Sequence, residues 1–163
     1  MTPRRAAQGR ERAIAIGRLT ASWGDPIIVR GRAWPFGDCQ IFIAGDMAGA
    51  AAVSHAEWPI AELVVIEAFV RDQGFGSALL DAVVAASAGP KALRVCTTND
   101  NLDALAFYQR RGFRLTALRP GAVDAARERK ASIPLIRENG LPVRYELDLE
   151  LALYSDATKT AAR

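Results

Sequence analysis

Histidine, cysteine and methionine are scarce in this chain: its 163 residues hold one His, two Cys and two Met. With His55 alone, a histidine relay or histidine-rich metal site has nothing further to draw on. Its neighbours offer no second ligand at helix or strand spacing, so no metal is expected. Cys39 and Cys96 lack the spacing of a disulfide framework or a zinc site, which suits a reducing compartment. Cys96 also lacks a histidine to activate it and reads as a packed thiol. No apolar run reaches the roughly 18 residues that cross a bilayer, and the arginine-rich N-terminus precedes no apolar h-region. A cytoplasmic protein without a membrane partner is expected.

A basic face is missing too, although the pI is about 9.2 and the net charge +3. Residues 1–12 hold Arg4, Arg5, Arg10 and Arg12 against Glu11, a surplus of three that equals the whole net charge. The remaining 17 basic and 17 acidic residues cancel. A nucleic-acid-binding domain would show a clustered basic surface of its own, so no nucleic-acid partner is expected. The domain reading is a flexible basic arm over 1–12, a single domain over 13–154 and a flexible tail over 155–163. Half the residues are hydrophobic, enough for a buried core at this length.

What is present centres on Arg71-Asp72-Gln73-Gly74-Phe75-Gly76-Ser77, between an apolar strand-like run (61–68) and a helical pattern (77–88). A strand feeding a glycine turn that opens a helix outlines a phosphate cradle. The first amides of a helix have no internal partner and lie at the positive end of its dipole. Gly74 and Gly76 allow positive φ and close approach of a ligand. The cradle is not a P-loop, because no Gly-Lys-Ser/Thr follows four residues after a glycine. Nor is it a dinucleotide fingerprint, because Leu79 stands where a third small residue is needed.

Other elements follow from pattern. Residues 12–20 are weakly helical and interrupted by Gly17; 27–32 read as a strand; 39–44 and 47–54 read as strands joined at Gly45-Asp46. Residues 60–69 form a nearly continuous apolar strand that Glu62 and Glu67 interrupt, and a carboxylate there must be paired, terminal or in use. Residues 92–97 and 113–118 read as strands and 122–130 as a short helix. In 143–151, Val143, Tyr145, Leu147, Leu149 and Leu151 alternate with Arg144, Glu146, Asp148 and Glu150, which predicts an antiparallel strand with one wet face. That long strand offers an edge on which a second copy can pair, giving a homodimer. Between the last strands but one lies Asn101 to Phe113. Asn101 is placed to cap a helix, Gly112 to stop it, and Asn101 and Tyr108 share a face about 10.5 Å apart along the axis.

The two stretches together resemble the GNAT (Gcn5-related N-acetyltransferase) superfamily. Arg71 to Gly76 fills the family's acyl-CoA loop, Arg/Gln-x-x-Gly-x-Gly/Ala, and Asn101, Ala104, Tyr108, Gly112 and Phe113 fill its second signature. The resemblance implies an α/β (α+β) fold: a mixed, mostly antiparallel twisted sheet of six to seven strands flanked by helices, with splayed central parallel strands. It implies acetyl-CoA as co-substrate, with Val64, Val65 and Ile66 along the pantetheine. The amides of Arg71, Asp72, Gln73, Gly74, Phe75, Gly76 and Ser77 would lie on the pyrophosphate, and Asn101 would hold the cofactor or a water. It implies N-acetyl transfer to a primary amine of a small molecule or protein by direct attack. Tyr108 would be the acid for the departing thiolate, and Glu62 or, second, Glu67 the base. The alternative is a non-catalytic acyl-CoA-binding module that keeps the cradle without a working base.

Overall fold

The computed structural model describes residues 5–153. The chain enters through a short strand β1 (Arg5–Ala6) and a helix α1 (Gly9–Trp23), then a hairpin of β2 (Ile27–Val29) and β3 (Arg32–Trp34). A single 3-10 turn at Phe36–Asp38 leads into β4 (Gln40–Ala44), β5 (Gly49–Ser54) and β6 (Ile60–Ala68). Then come α2 (Phe75–Ala86), β7 (Ala92–Thr98), α3 (Leu102–Arg110), β8 (Arg114–Arg119), α4 (Ala122–Arg129) and β9 (Glu146–Ala152).

Seven strands form one sheet in the order β1-β4-β5-β6-β7-β9-β8, and β2-β3 form a separate ribbon. Every neighbouring pair in the large sheet is antiparallel except β6 and β7. Each face carries its own core. Leu79, Leu80 and Val83 of α2 and Tyr108 of α3 pack on Leu63, Leu93, Val95 and Leu149. On the opposite face Ala15 and Leu19 of α1, one helical turn apart, pack on Phe36, Ile41, Ile43 and Val65. Between the two, β5 is fully buried and made of small residues, Gly49 to Ala52, so helices approach it from both sides. A Cβ on Gly49 would lie 2.9 Å from Leu79 Cδ1 and 3.0 Å from the Glu67 carbonyl, which leaves room for hydrogen alone.

Several expectations need correction. Of the flexible arm expected over 1–12, Arg5–Ala6 pair with β4 and residues 9–12 belong to α1. Helix α1 passes through Gly17 without interruption. The glycine faces open space, so it weakens helix propensity by about 1 kcal/mol and breaks no packing. The strand expected over 27–32 is a hairpin that turns at Arg30-Gly31. The middle of the face expected to be wet is buried: Glu146 and Asp148 are 3% and 5% exposed, because β9 lies inside the sheet with arginines above it, while Arg144 is exposed and Glu150 half-buried. Since β7 and β8 occupy both edges of β9, the second copy expected to pair with that strand finds no edge there. The tail expected over 155–163 lies outside the described residues.

Candidate functional site

Strand β6 leaves the sheet at Ala68, and the amides of Phe69 and Val70 both donate to the Ala48 carbonyl, fixing where the following loop starts. Asp72 takes φ 60° and Gly74 φ 77°, so the loop reverses twice through the left-handed region before α2. At Gly74 only glycine adopts that φ without strain, although a Cβ there would touch nothing. The first bond of α2 is Ala78 N–H to the Gly74 carbonyl at 2.9 Å, so the amides of Phe75, Gly76 and Ser77 remain outside the helical ladder. No acidic residue occupies the first turn of α2, and its positive dipole end is uncompensated. Arg71, Asp72 and Gln73 are exposed around it, while the Phe75 ring turns inward against Gly45.

Beside this cradle the two parallel strands part. Ile60 to Leu63 pair with Ala92 to Val95, but β6 continues to Ala68 and β7 to Thr98 with no further pairing between them. A bulge begins the separation: Ala52 faces Val65 and Val53 faces Leu63, leaving Val64 as the extra residue. One edge of Val64, Val65 and Ile66 is therefore free of β7. The Val65 side chain is buried toward α1, and that of Ile66 packs against the opposite core.

Tyr108 is 5% exposed, with its ring 5.4 Å from Phe107 and 5.3 Å from Phe113. Burial pushes the phenol well above its usual range, so it keeps its proton. Among the described residues its hydroxyl has no hydrogen-bond partner. Asn101 caps α3, its Oδ1 accepting from the Ala104 N–H at 3.3 Å. The side-chain amide nitrogen stays free of described partners.

The two candidate bases differ in surroundings. Glu67 accepts a 2.6 Å bond from the Trp23 indole at the end of α1. Glu62 is 2% exposed and takes Arg94 Nε at 2.9 Å and Arg30 Nη2 at 2.6 Å on one oxygen. Burial pushes its carboxyl above the usual range, and the two arginines pull it only part of the way back. It sits in a chain of alternating charges. Arg32 pairs with Glu57, Glu57 with Arg94, Arg94 with Glu62, Glu62 with Arg30, Arg30 with Asp148, Asp148 with Arg119, and Arg119 with Glu146. Asp148 is disfavoured as an anion by burial, yet hydrogen bonds from Arg119 and the charges of Arg30 and Arg119 hold it below the usual carboxylate range. Burial, then Glu146 and Asp148, push the Cys96 thiol far up, which makes it a packed thiol and no nucleophile.

Glu62, Val64 and Cys96 meet Ile27, Val29 and Trp34 of the β2-β3 ribbon around a niche too narrow for a water molecule. The ribbon thus covers the mouth of the splay from the α1 side. Arg30, Arg94 and Asp148 are parts of this arrangement that the sequence pattern did not single out. Two signals pointed to them. Arg30-Gly31 separates two strand-like triplets, as a two-residue hairpin turn does. Arg119 and the alternating acids of β9 supply unlike charges on neighbouring strands.

Residues 37–115 match the family described as Acetyltransferase (GNAT) domain. Two Bacillus subtilis (strain 168) proteins, named Uncharacterized protein YxbD and Uncharacterized protein YdhI, are 42% and 40% identical over 88 residues. The match takes in 53% of this chain and 55% of each of them, so the chain spans about half the length of the curated relatives it matches. A Bacillus subtilis acetyltransferase solved in complex with CoA superposes with a TM-score of 0.68 at 21% identity, over 94% of this chain and 100% of that one. A GNAT family acetyltransferase from Elizabethkingia anophelis with acetyl-CoA bound gives 0.67 at 17% over 93% and 97%. The ribosomal-protein-S18-alanine N-acetyltransferase from Escherichia coli gives 0.65 at 17% over 98% of each. The last three likenesses are likenesses of fold.

Proposed function

We propose, from the match of residues 37–115 to the GNAT acetyltransferase domain family, that the protein moves an acetyl group from acetyl-CoA to a primary amine. The observation that carries this reading is the junction of free amides at Phe75–Ser77 with the unpaired edge of β6 from Val64 onward. Acetyl-CoA supplies the activated thioester; the chain supplies position and proton traffic. The amides of the 71–77 loop hold the pyrophosphate against the α2 dipole. The backbone of Val64, Val65 and Ile66 pairs with the pantetheine in place of β7, and the N–H near Ile66 faces the thioester oxygen as its charge grows. Asn101 offers its free amide nitrogen to the co-substrate or to a water.

An alkylammonium must lose a proton before it can attack. Glu62, whose burial makes it a better base than an exposed glutamate, takes that proton directly or through water; Glu67 is the second choice. The nitrogen lone pair then forms the N–C bond as the C–S bond breaks. The sulfur takes a proton that Tyr108 is placed to donate, and the amide nitrogen releases its second proton to solvent. The acceptor belongs to a small molecule or a protein, and the protein works in the cytoplasm.

One observation favours a second reading. Glu62 already carries two arginines, and a base held in ion pairs suits an idle acyl-CoA-binding module. Calorimetry with CoA and a thiol-release assay with acetyl-CoA over a panel of amines separate the two. Binding with release supports transfer, binding without release supports the idle module, and absence of CoA binding removes both.

A further inference from the structure

The β2-β3 ribbon holds to the large sheet through side chains, since its backbone pairs only within itself. Its tip is Arg30-Gly31, with φ 52° and 70°, a two-residue turn in which both positions favour Gly, Asn or Asp. Arginine at the first of them is a poor backbone choice, so its side chain is the reason to look there. That side chain reaches down and bridges Glu62 of β6, at 2.6 Å, and Asp148 of β9, at 3.0 Å, across β7. Its backbone N–H adds a 3.1 Å bond to Glu146. Outside, the Gly31 carbonyl accepts one exposed bond from Arg129.

The charges around this bridge are matched only while Arg30 is in place. The four carboxylates of the chain, Glu57, Glu62, Glu146 and Asp148, face Arg32, Arg94, Arg119 and Arg30. Without Arg30 one negative charge is left over, between Glu62 and Asp148, at the mouth of the splay where an attacking nitrogen must arrive. The niche there is lined by Ile27, Val29, Trp34 and Val64 and is shut. On the other side of Trp34 lies a cavity of about 310 Å³ bounded by Val53, Ser54, His55 and Pro35. That size is at the small end of ligand sites.

We propose that the space between Glu62 and Asp148 is the acceptor-ammonium site, that the Arg30 guanidinium occupies it in the closed state, and that a primary ammonium on a small apolar body displaces Arg30 and lifts the ribbon. This rests on the transferase reading above and narrows its acceptor class. Displacement frees Glu62 from one arginine as the ammonium arrives, so the base is uncovered only when its substrate is present. Trp34, the wall common to niche and cavity, bounds the room for the apolar body. Acetylation turns the ammonium into a neutral amide, which no longer competes with Arg30, and the ribbon closes behind the product.

The probe pair is acetyl-CoA with phenethylamine. Arg30→Gly suits the turn's backbone and removes the internal competitor, so the KM for phenethylamine should fall about tenfold or more while the KM for acetyl-CoA stays put. An amine KM that is unchanged or raised overturns the proposal. So does turnover of other amines by the parent enzyme without turnover of phenethylamine. On the unmodified protein, hydrogen exchange of amides 27–34 should quicken when phenethylamine is added to the CoA complex, and unchanged or slower exchange overturns it independently of the variant. Failure of the transferase reading looks different: the parent protein then releases no thiol with any amine.

Discussion

Replacing Gly74 by alanine perturbs the cradle through the backbone alone. The residue holds φ 77°, and a Cβ built there meets no atom within 4 Å, so the whole penalty is conformational. For a non-glycine residue in that region it is about 1–2 kcal/mol. If the folded loop keeps its shape, stability falls by that amount, or roughly 2–8 °C in melting temperature for a chain of this size. If the loop relaxes instead, the Phe75–Ser77 amides lose their common aim, and CoA affinity falls by the equivalent factor, about 5- to 30-fold. Gly76→Ala is the internal control. Its φ is ordinary, and its Cβ would sit 3.8 Å from the Phe107 ring, a normal contact, inside a helix where alanine is the better residue by about 1 kcal/mol. It should melt at or above the parent temperature. Thermal denaturation and calorimetry with CoA on the two variants measure both quantities. A Gly74→Ala protein with both parental melting temperature and parental CoA affinity would refute the reasoning, since strain must be expressed in one of them.

Tyr108→Phe breaks no hydrogen bond to a described residue, so its stability should change by less than about 1 kcal/mol. Its turnover in the thiol-release assay should drop while CoA affinity holds, and parental turnover would remove Tyr108 as the acid. Glu62 has a folded carboxyl raised above its unfolded value, so its contribution to stability is fully present below the unfolded value and lost as pH rises through the folded one. Turnover should climb over that same upper window as the base deprotonates, and Glu62→Gln should flatten the climb; a variant with the parental pH profile excludes Glu62 as base. Asp148 is shifted the other way, so its contribution is present above its unfolded value and lost as pH falls through the folded one. Asp148→Asn leaves Arg30 with Glu62 alone and Arg119 with Glu146 alone and should destabilise by about 2–3 kcal/mol, less than the 3–5 of a fully buried pair because each arginine keeps one partner and Arg119 is 28% exposed. Urea denaturation of Asp148→Asn at neutral pH checks this, and a loss below 1 kcal/mol would show the pairs to be weak.

Much of the architecture was legible in the chain because it rests on local rules. The apolar run of β6, the Gly74 turn and the apolar spacing of α2 each follow from residues within a few positions of one another. So do the Asn101 cap and the Gly112 stop of α3. Where the reading failed, distant partners outweighed local pattern. Alternating acids in β9 look solvated until Arg30, more than a hundred residues earlier, is laid over them. Gly17 looks like a break until α1 is seen to rest on Leu19 and Ala15, away from it. The 27–32 run looks like one strand because Arg30 hides a turn that asparagine would have announced.

The chain by itself determined the cradle: positive φ at Gly74 and unpartnered amides at a helix start are properties of a short segment and need no partner to exist. The tertiary structure decided what surrounds it. Only folding sets the length over which β6 and β7 stay paired, and only folding brings Arg30, Glu62 and Asp148 from three separate elements to one point. Charge pairing and strand register depend on distances between residues far apart in sequence, and no periodicity records those distances.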